Sequence, residues 1–282
     1  MRVANVAGRL TLVVDGAGVD VERASAGRFG PGVQDVYDRW EEFREWAAGA
    51  PLPPGDPFHE ADLGAPAPAP RQVFAVGLNY RDHAREAGFD VPQTEPPVFT
   101  KFPSCITGPT GEIALPPGGH TDWEVELVAV VGRAAYRVSA PDALSYLAGF
   151  TVGQDLSERL LQMASSPPQF SLGKSLPGFG PIGPWLVSTD EIADPQDLEL
   201  GCSIDGEQVQ LGRTSQMIFS VPDLLVKLSA AVHLLPGDVI FTGTPAGVGM
   251  GRTPPRWLAA GEELVTHIGG IGQMRHRLVA AD

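Results

Sequence analysis

Long apolar runs, clusters of basic residues and closely spaced cysteines are all missing from this sequence of 282 residues. No apolar stretch approaches the ~20 residues that a membrane-spanning helix needs, and residues 1–14 contain no signal-peptide core. The formal net charge is −14, which argues against nucleic acid or an anionic membrane as a partner. We therefore expect a cytoplasmic protein that binds neither.

The only two cysteines, Cys105 and Cys202, lie far apart and in no metal-binding spacing. This spacing argues against a disulfide framework and against a zinc site, so we expect two core thiols. What the sequence has in quantity is glycine and proline, with 34 and 27 residues spread along the chain. Such a composition is typical of many turns between short strands, and it favours a mostly β fold.

The N-terminal part differs in pattern from the rest of the chain. Apolar residues recur at helical spacing from Val33 to Trp46, and a proline-rich stretch follows at 51–70. A stretch of this kind packs poorly into a core and stays extended. We therefore predict a small N-terminal domain with its linker at 1–66 and a second domain at 67–282.

Strand patterns dominate after that boundary. Pro222–Leu235 and Leu156–Met163 read as helices, and Asp205-Gly206 predicts a tight hairpin turn. The predicted strands are Val73–Val76, Pro97–Lys101, Glu124–Val131, Phe150–Gly153, Trp185–Ser188, Val239–Thr242, Leu264–Ile268 and Met274–Leu278.

The strand that begins near residue 122 carries an unusual set of acids. Period-two alternation places Asp122, Glu124 and Glu126 on one face, and the chain then turns wholly apolar. Like charges that enter a core are costly unless a cation compensates them. The alternative is a solvated edge strand. If the site binds a metal, oxygen ligands without Cys or clustered His favour Mg²⁺ or Mn²⁺ over Zn²⁺.

Two further signals remain open on the residues alone. Asp155 stands where a helix N-cap would, with Glu158 three residues later, so it reads equally as a cap or as a metal ligand. His83 and Glu86 share a face if their segment is helical, and the carboxylate could then support the imidazole. Pairs with this spacing are also common surface contacts.

Taken together and in order, five motifs resemble the fumarylacetoacetate hydrolase family. The resemblance covers about residues 73–278. The motifs are Val76-Gly77-Leu78-Asn79-Tyr80 with His83, Asp122 to Leu127, Gly149 to Gln162, Leu172-Gly173-Lys174-Ser175, and Gly237 to Pro245 leading to Gly247-Val248-Gly249.

The resemblance implies an α+β, mostly β fold: a mixed β-roll catalytic domain with a small N-terminal α+β domain, assembled as a homodimer. It implies that Glu124, Glu126 and Asp155 bind Mg²⁺ or Mn²⁺, with Ca²⁺ as a substitute in crystals. The other residues to which it assigns a role are His83, Glu86 and Lys174 in catalysis, and Arg159, Gln162, Thr244 and Lys101 in substrate binding.

The activity implied is metal-dependent hydrolysis of a C–C bond in a small 1,3-dicarbonyl or 2-oxo carboxylic acid, as in the catabolism of aromatic or sugar acids. Decarboxylation or tautomerisation of a 2-oxo acid such as oxaloacetate uses the same parts and stays open. A catalytically silent ligand-binding protein is the remaining alternative.

Overall fold

A computed structural model describes residues 1–281, and β-strands make up most of its regular structure. Eleven strands form the largest sheet, five form a second sheet, and two pair separately. In chain order the strands are β1 (Arg2–Val6), β2 (Arg9–Val14), β3 (Ala17–Asp20), β4 (Leu63–Gly64), β5 (Val73–Val76), β6 (Val98–Thr100), β7 (Ile106–Thr107), β8 (Thr110–Leu115), β9 (Thr121–Asp122), β10 (Val125–Val131), β11 (Leu147–Gln154), β12 (Ser157–Glu158), β13 (Gly180–Ser188), β14 (Glu199–Ile204), β15 (Glu207–Arg213), β16 (Val239–Phe241), β17 (Glu263–Ile268) and β18 (Gly272–Ala280).

The helices are short. The α-helices are α1 (Val21–Ala24), α2 (Trp40–Gly49), α3 (Arg81–Glu86), α4 (Arg159–Gln162) and α5 (Val221–Ala231). Single 3₁₀ segments occupy Gln34–Arg39, Glu60–Asp62, Pro103–Cys105, Ala140–Tyr146, Thr189–Glu191, Thr214–Gln216 and Gly249–Gly251. None of the helices in residues 1–281 has both the length and the apolar character that crossing a bilayer requires.

Both large sheets are mixed. In the largest sheet nine of the eleven strands follow the order β3-β2-β1-β13-β11-β10-β16-β5-β6, while β4 pairs with β1 and β7 with β13. Strand β10 is antiparallel to both of its neighbours, and β16 is parallel to β5. In the second sheet the order is β15-β14-β17-β18-β8, with β8 parallel to β18. The predicted fold class, α+β and mostly β, is confirmed.

Strand β10 is buried along its whole length because both of its faces pack against a core. Leu127 and Ala129 contribute to one apolar cluster, whereas Val128 and Val130 contribute to another on the opposite face. Side chains alternate between the faces of a strand, so a strand covered on both sides needs a continuous apolar run. The alternative of a solvated edge strand is therefore wrong.

The N-terminal residues cover one face of this sheet. β1 pairs with β13, and Val3, Phe43 and Val128 belong to the same apolar cluster. The helical spacing predicted for 33–46 appears as the 3₁₀ segment Gln34–Arg39 followed by α2. Whether residues 1–66 would fold as a separate domain stays a prediction, since their strands extend the large sheet.

Most predicted elements are confirmed, including the hairpin at Asp205-Gly206 and the helix predicted for 222–235, which appears as α5 and begins with a Ser220–Asp223 capping box. The helix predicted for 156–163 is too long. Ser157 and Glu158 pair as a short strand with β9, and Glu158, not Asp155, caps the four-residue helix α4. The capping role considered for Asp155 is wrong because lysine ammonium groups contact its carboxylate oxygens.

Candidate metal centre and active site

Three carboxylates meet where two neighbouring strands end. Glu124 lies just before β10 and Asp155 just after β11, and these strands are antiparallel with Val125 opposite Gln154. The Asp155 amide donates to the Glu124 carbonyl at 2.9 Å. Glu126 follows on β10, and oxygens of the three carboxylates lie within 4.8 Å of one another. All three side chains are buried, so the fold concentrates negative charge in a place shielded from water.

Two lysines hold the Asp155 side of this cluster. Lys174 Nζ donates to Glu124 Oε2 and to Asp155 Oδ2, both at 2.7 Å. Lys101 Nζ donates to Asp155 Oδ1 at 2.5 Å, to the Phe179 carbonyl at 3.2 Å, and to the Lys174 carbonyl. Lys101 has no exposed surface and lies behind Asp155, outside the cavity. The substrate contact predicted for Lys101 therefore stays a prediction, and the contact that the structure shows is the one with Asp155.

Arg159 joins the same network from α4. Its guanidinium donates to Asp122 Oδ1, Glu124 Oε1 and Gln162 Oε1, each at 2.7 Å. Asp122 uses its second oxygen to accept from the Met250 amide at 2.7 Å. Burial raises the pKa of Asp122 to about 6, although Arg159 opposes the shift. Asp122 thus anchors Arg159 and lies outside the acidic triad.

The two glutamates have opposite electrostatic environments. Burial alone would raise the pKa of Glu124, but Lys174 and Arg159 outweigh it and the pKa falls well below its usual value. Burial raises the pKa of Glu126 well above its usual value, and the Asp155 and Glu124 carboxylates add to this shift. Glu126 is 1% exposed and accepts a hydrogen bond from the Gly243 amide at 2.6 Å.

The triad can bind a divalent metal. Within residues 1–281 no cationic side chain forms an ion pair with Glu126, and a buried carboxylate without a cation is costly. Three oxygen donors with no sulfur or imidazole match the preference of Mg²⁺ and Mn²⁺. The residues present therefore fit the predicted ion.

His83 and Glu86 lie on the short helix α3, on one side of the cavity. His83 Nδ1 is 3.5 Å from Glu86 Oε2 and forms no hydrogen bond. The Glu86 carboxylate instead accepts from the Gly247 amide, at 3.0 and 3.1 Å. This contact ties α3 to the glycine-rich loop that follows β16.

One cavity brings most of the predicted site residues together. His83, Glu124, Arg159, Gln162, Lys174 and Thr244 line it. Thr244 Oγ1 accepts a hydrogen bond from Gln210 Nε2 at 2.8 Å, so that side chain is held in place. The sequence reasoning missed the apolar part of the lining, because no pattern in the loops at 88–96 and 164–170 indicated which of their side chains face the cavity.

Comparisons with known proteins agree with this geometry. The model of the fumarylacetoacetate (FAA) hydrolase C-terminal family matches residues 72–279. The human mitochondrial oxaloacetate tautomerase FAHD2A is 44% identical over 224 residues, which are 79% of this chain and 71% of the relative. The crystal structure of a provisionally named HpcE protein from Mycobacterium smegmatis is 56% identical, with both chains fully covered and a TM-score of 0.96. Fumarylacetoacetate hydrolase from Exiguobacterium antarcticum is 32% identical, again with full coverage of both chains, and its TM-score is 0.84.

Proposed function

The chain belongs to the fumarylacetoacetate hydrolase family, and from that premise we propose that it is a divalent-metal-dependent hydrolase that cleaves a C–C bond in a small acylpyruvate-like acid. Its relatives include both a tautomerase and a hydrolase, so family membership alone does not choose the reaction. The observation that carries the proposal is that His83, Lys174 and Glu124 line one cavity. A base, an acid and a metal ligand are thereby within reach of one small molecule.

Glu124, Glu126 and Asp155 would hold the ion. An Mg²⁺ or Mn²⁺ ion held there would supply Lewis-acid polarisation of a bound 2-oxo acid. The protein adds the proton transfers and the orientation.

His83 takes a proton from a water molecule whose oxygen attacks the distal carbonyl carbon of the substrate. The Lys174 ammonium stabilises the negative charge that develops on the attacked carbonyl oxygen. The bond between that carbon and the adjacent methylene then breaks, and its electron pair remains on the pyruvate unit. The imidazolium of His83, stabilised by Glu86, then transfers the proton to the methylene carbon of the pyruvate unit, which becomes a methyl group. The products are pyruvate and a carboxylic acid.

The proposal is tested with acylpyruvates, fumarylpyruvate, oxaloacetate and 3-deoxy-2-oxo sugar acids, assayed with Mg²⁺ and with Mn²⁺. We expect His83→Ala to lower turnover of a cleaved substrate by roughly two to four orders of magnitude, with metal affinity nearly unchanged. Glu86→Gln should cost less, because it keeps the shape and loses only the charge. His233→Ala, at an exposed histidine, is the matched control. Full activity after exhaustive chelation, or wild-type rates in His83→Ala, would contradict the proposal.

Tautomerisation of a 2-oxo acid is the second candidate, and the identity of 44% with oxaloacetate tautomerase favours it. Moving a proton between carbon and oxygen needs a positioned acid and base but no attacking water. Acceleration of the keto–enol interconversion of oxaloacetate, without cleavage of any acylpyruvate in the panel, would select this reaction. Release of CO₂ from oxaloacetate would select decarboxylation, and no turnover with tight metal-dependent binding would select a ligand-binding protein.

We further propose that the protein is a homodimer. Five large apolar side chains are exposed around α4 and the Lys174 loop: Phe102, Leu160, Leu161, Met163 and Leu172. The Phe102 amide donates to Ser175 Oγ at 2.9 Å, which places β6 beside that loop. An apolar patch of this kind is typical of a subunit interface.

A cytoplasmic location and a role in aromatic or sugar acid catabolism complete the proposal. Cys105 and Cys202 are both buried and unpaired, which suits a reducing compartment. Fractionation of the cells that produce the protein tests the location.

A further inference from the structure

The 3₁₀ segment Gly249–Gly251 lies between α3 and the strand β9. Its middle amide donates to Asp122 Oδ2 at 2.7 Å, and its first carbonyl accepts from the Arg256 amide at 3.0 Å. These two contacts fix the backbone of the segment from one side. Its last residue, Gly251, lies against the Glu86 side chain of α3 on the other side.

Gly251 has no room for a side chain. A methyl carbon at this position would lie 2.5 Å from Glu86 Cδ and 2.7 Å from Glu86 Oε1, and closer still to Glu86 Cγ. Non-bonded carbon atoms pack at about 3.5–4.0 Å. Gly251 is not among the glycines with positive φ, so its backbone conformation does not require glycine. What requires glycine here is the side chain of Glu86.

The space beside Gly251 lets the Glu86 carboxylate reach one backbone amide. The Gly247 amide donates to Glu86 Oε2 at 3.0 Å and to Oε1 at 3.1 Å. Gly247 has a φ of +112°, and a methyl carbon there would lie 2.5 Å from the Val209 carbonyl oxygen, so the direction of this amide is fixed. Glu86 Oε2 is also the oxygen that lies 3.5 Å from His83 Nδ1. The Gly247 amide therefore places the carboxylate beside the imidazole.

The helix α3 needs tertiary contacts because it is short. It has six residues and no side-chain cap at its N-terminus, and isolated helices below about 12–15 residues are marginal in water. Within residues 1–281, only the Glu86 side chain of α3 forms hydrogen bonds to another element, since Arg85 and Asp82 bond to each other. The position of His83 should therefore depend on the contact between Glu86 and Gly247.

We propose that Gly251 is a positioning residue for the His83/Glu86 pair. Because Gly251 has no side chain, the Glu86 carboxylate lies on the Gly247 amide and holds α3, with His83, beside the cavity. Gly251 itself does not line the cavity. This inference rests on the proposed function, because it takes His83 to be the residue that transfers protons.

The first test needs neither metal nor substrate. Gly251→Ala is compared with Gly49→Ala, because Gly49 ends α2 and a methyl carbon there meets no atom within 4 Å. Hydrogen exchange of the full chain in EDTA, followed by mass spectrometry, reports on the peptides that contain α3 and Gly247. Exchange in both peptides should become at least about tenfold faster in Gly251→Ala and in Glu86→Ala. It should not change in Gly49→Ala.

Turnover then separates positioning from a general loss of structure. With a cleaved substrate, kcat of Gly251→Ala should fall at least about tenfold, while Mn²⁺ affinity measured by calorimetry stays nearly unchanged. The decisive variant is Glu86→Ala/Gly251→Ala. Once the Glu86 side chain is absent the added methyl group fits, so kcat and the urea midpoint should equal those of Glu86→Ala alone. This double variant should fold even if Gly251→Ala does not.

Wild-type exchange and turnover in Gly251→Ala would overturn the inference. Additive losses in the double variant would also overturn it, because the two residues would then act separately. A large fall in Mn²⁺ affinity in Gly251→Ala would do the same, since the effect would then come from the metal site. If the wild type turns over none of the acids, the proposed function is wrong, whereas faster exchange in Gly251→Ala but not in Gly49→Ala would still support the contact between Gly251 and Glu86.

Discussion

Replacing Lys101 by methionine should destabilise the protein severely even though the side chain lies outside the cavity. Methionine keeps the length of the lysine stem and removes its ammonium group. Lys101 has no exposed surface, and its Nζ contacts Asp155 Oδ1 together with the carbonyls of Lys174 and Phe179. The substitution leaves the Lys174 carbonyl without a donor and one carboxylate oxygen without its cation, whereas the Phe179 carbonyl keeps the Leu156 amide at 3.1 Å.

The expected loss of stability depends on which groups lose their partners when the ammonium is removed. Removing one partner of a buried ion pair costs about 3–5 kcal/mol, and a buried acceptor left without a partner costs about 1–3 kcal/mol. Asp155 keeps Lys174 at 2.7 Å on its other oxygen, which limits the electrostatic part. We therefore expect Lys101→Met to lower the free energy of unfolding by about 3–5 kcal/mol, a large share of a typical total of ~5–15 kcal/mol.

Urea unfolding followed by tryptophan fluorescence, in EDTA, measures this difference. The control is Lys227→Met, which removes a partly exposed ammonium from its contacts with the Thr94 carbonyl and with the exposed Glu95 at 3.2 Å and should cost less than about 1 kcal/mol. The double variant Lys101→Met/Asp155→Asn should be more stable than the sum of the single effects requires, because neither charge is then left alone. A cost below about 1 kcal/mol for Lys101→Met would refute the reasoning.

Three further predictions concern the metal, the assembly and pH. Glu126→Gln keeps the shape of the triad and removes a charge, so Mn²⁺ affinity measured by calorimetry should fall at least about 100-fold, and unchanged affinity would exclude Glu126 as a ligand. Leu172→Asp places a charge in the exposed apolar patch and should convert a dimer into monomers by light scattering at micromolar concentration, whereas a monomeric wild type would contradict the proposed assembly. Burial lowers the pKa of His276 from 6.5 to about 4, so the unfolded chain binds its proton more readily. As pH falls from about 6.5 to 4 the wild type should therefore lose about 3 kcal/mol more stability than His276→Gln, and identical pH profiles would contradict this.

The sequence was most informative where local pattern and fold coincide. Period-two alternation identified the strand that follows Glu124 and carries Glu126, and the apolar run after Glu126 is explained by burial of both faces, which the sequence analysis left open. The same reasoning failed next to Asp155. An Asp followed three residues later by Glu satisfies the rule for a helix start, but pairing of β12 with β9 competes with that start and moves the cap to Glu158. Local rules cannot anticipate a pairing between strands that are distant in sequence.

The ion pairs of the site could not be predicted from the sequence either, because their partners are also distant along the chain. The sequence contains Lys101 and Asp155 at a separation of 54 residues, and nothing in either neighbourhood indicates that they meet. The loop that supplies Phe170 also has no periodicity from which the orientation of that side chain could be inferred. Chemistry carried by a single strand was therefore predictable, whereas the partner of each charge and the shape of the cavity depend on tertiary packing.

The charges of the site explain why a divalent metal ion and an acid with one carboxylate can bind in it at the same time. When all of them are ionised, four buried carboxylates face three buried cations and leave a net charge of −1; the carboxylates are those of Asp122, Glu124, Glu126 and Asp155, and the cations those of Lys101, Arg159 and Lys174. The raised pKa of Glu126 means that this side chain keeps its proton more readily until an ion binds. A divalent ion changes this to +1, and an acid with one carboxylate then neutralises the site. Acid binding should therefore require the ion, since the side chains of the site without metal carry no net positive charge that would attract an anion.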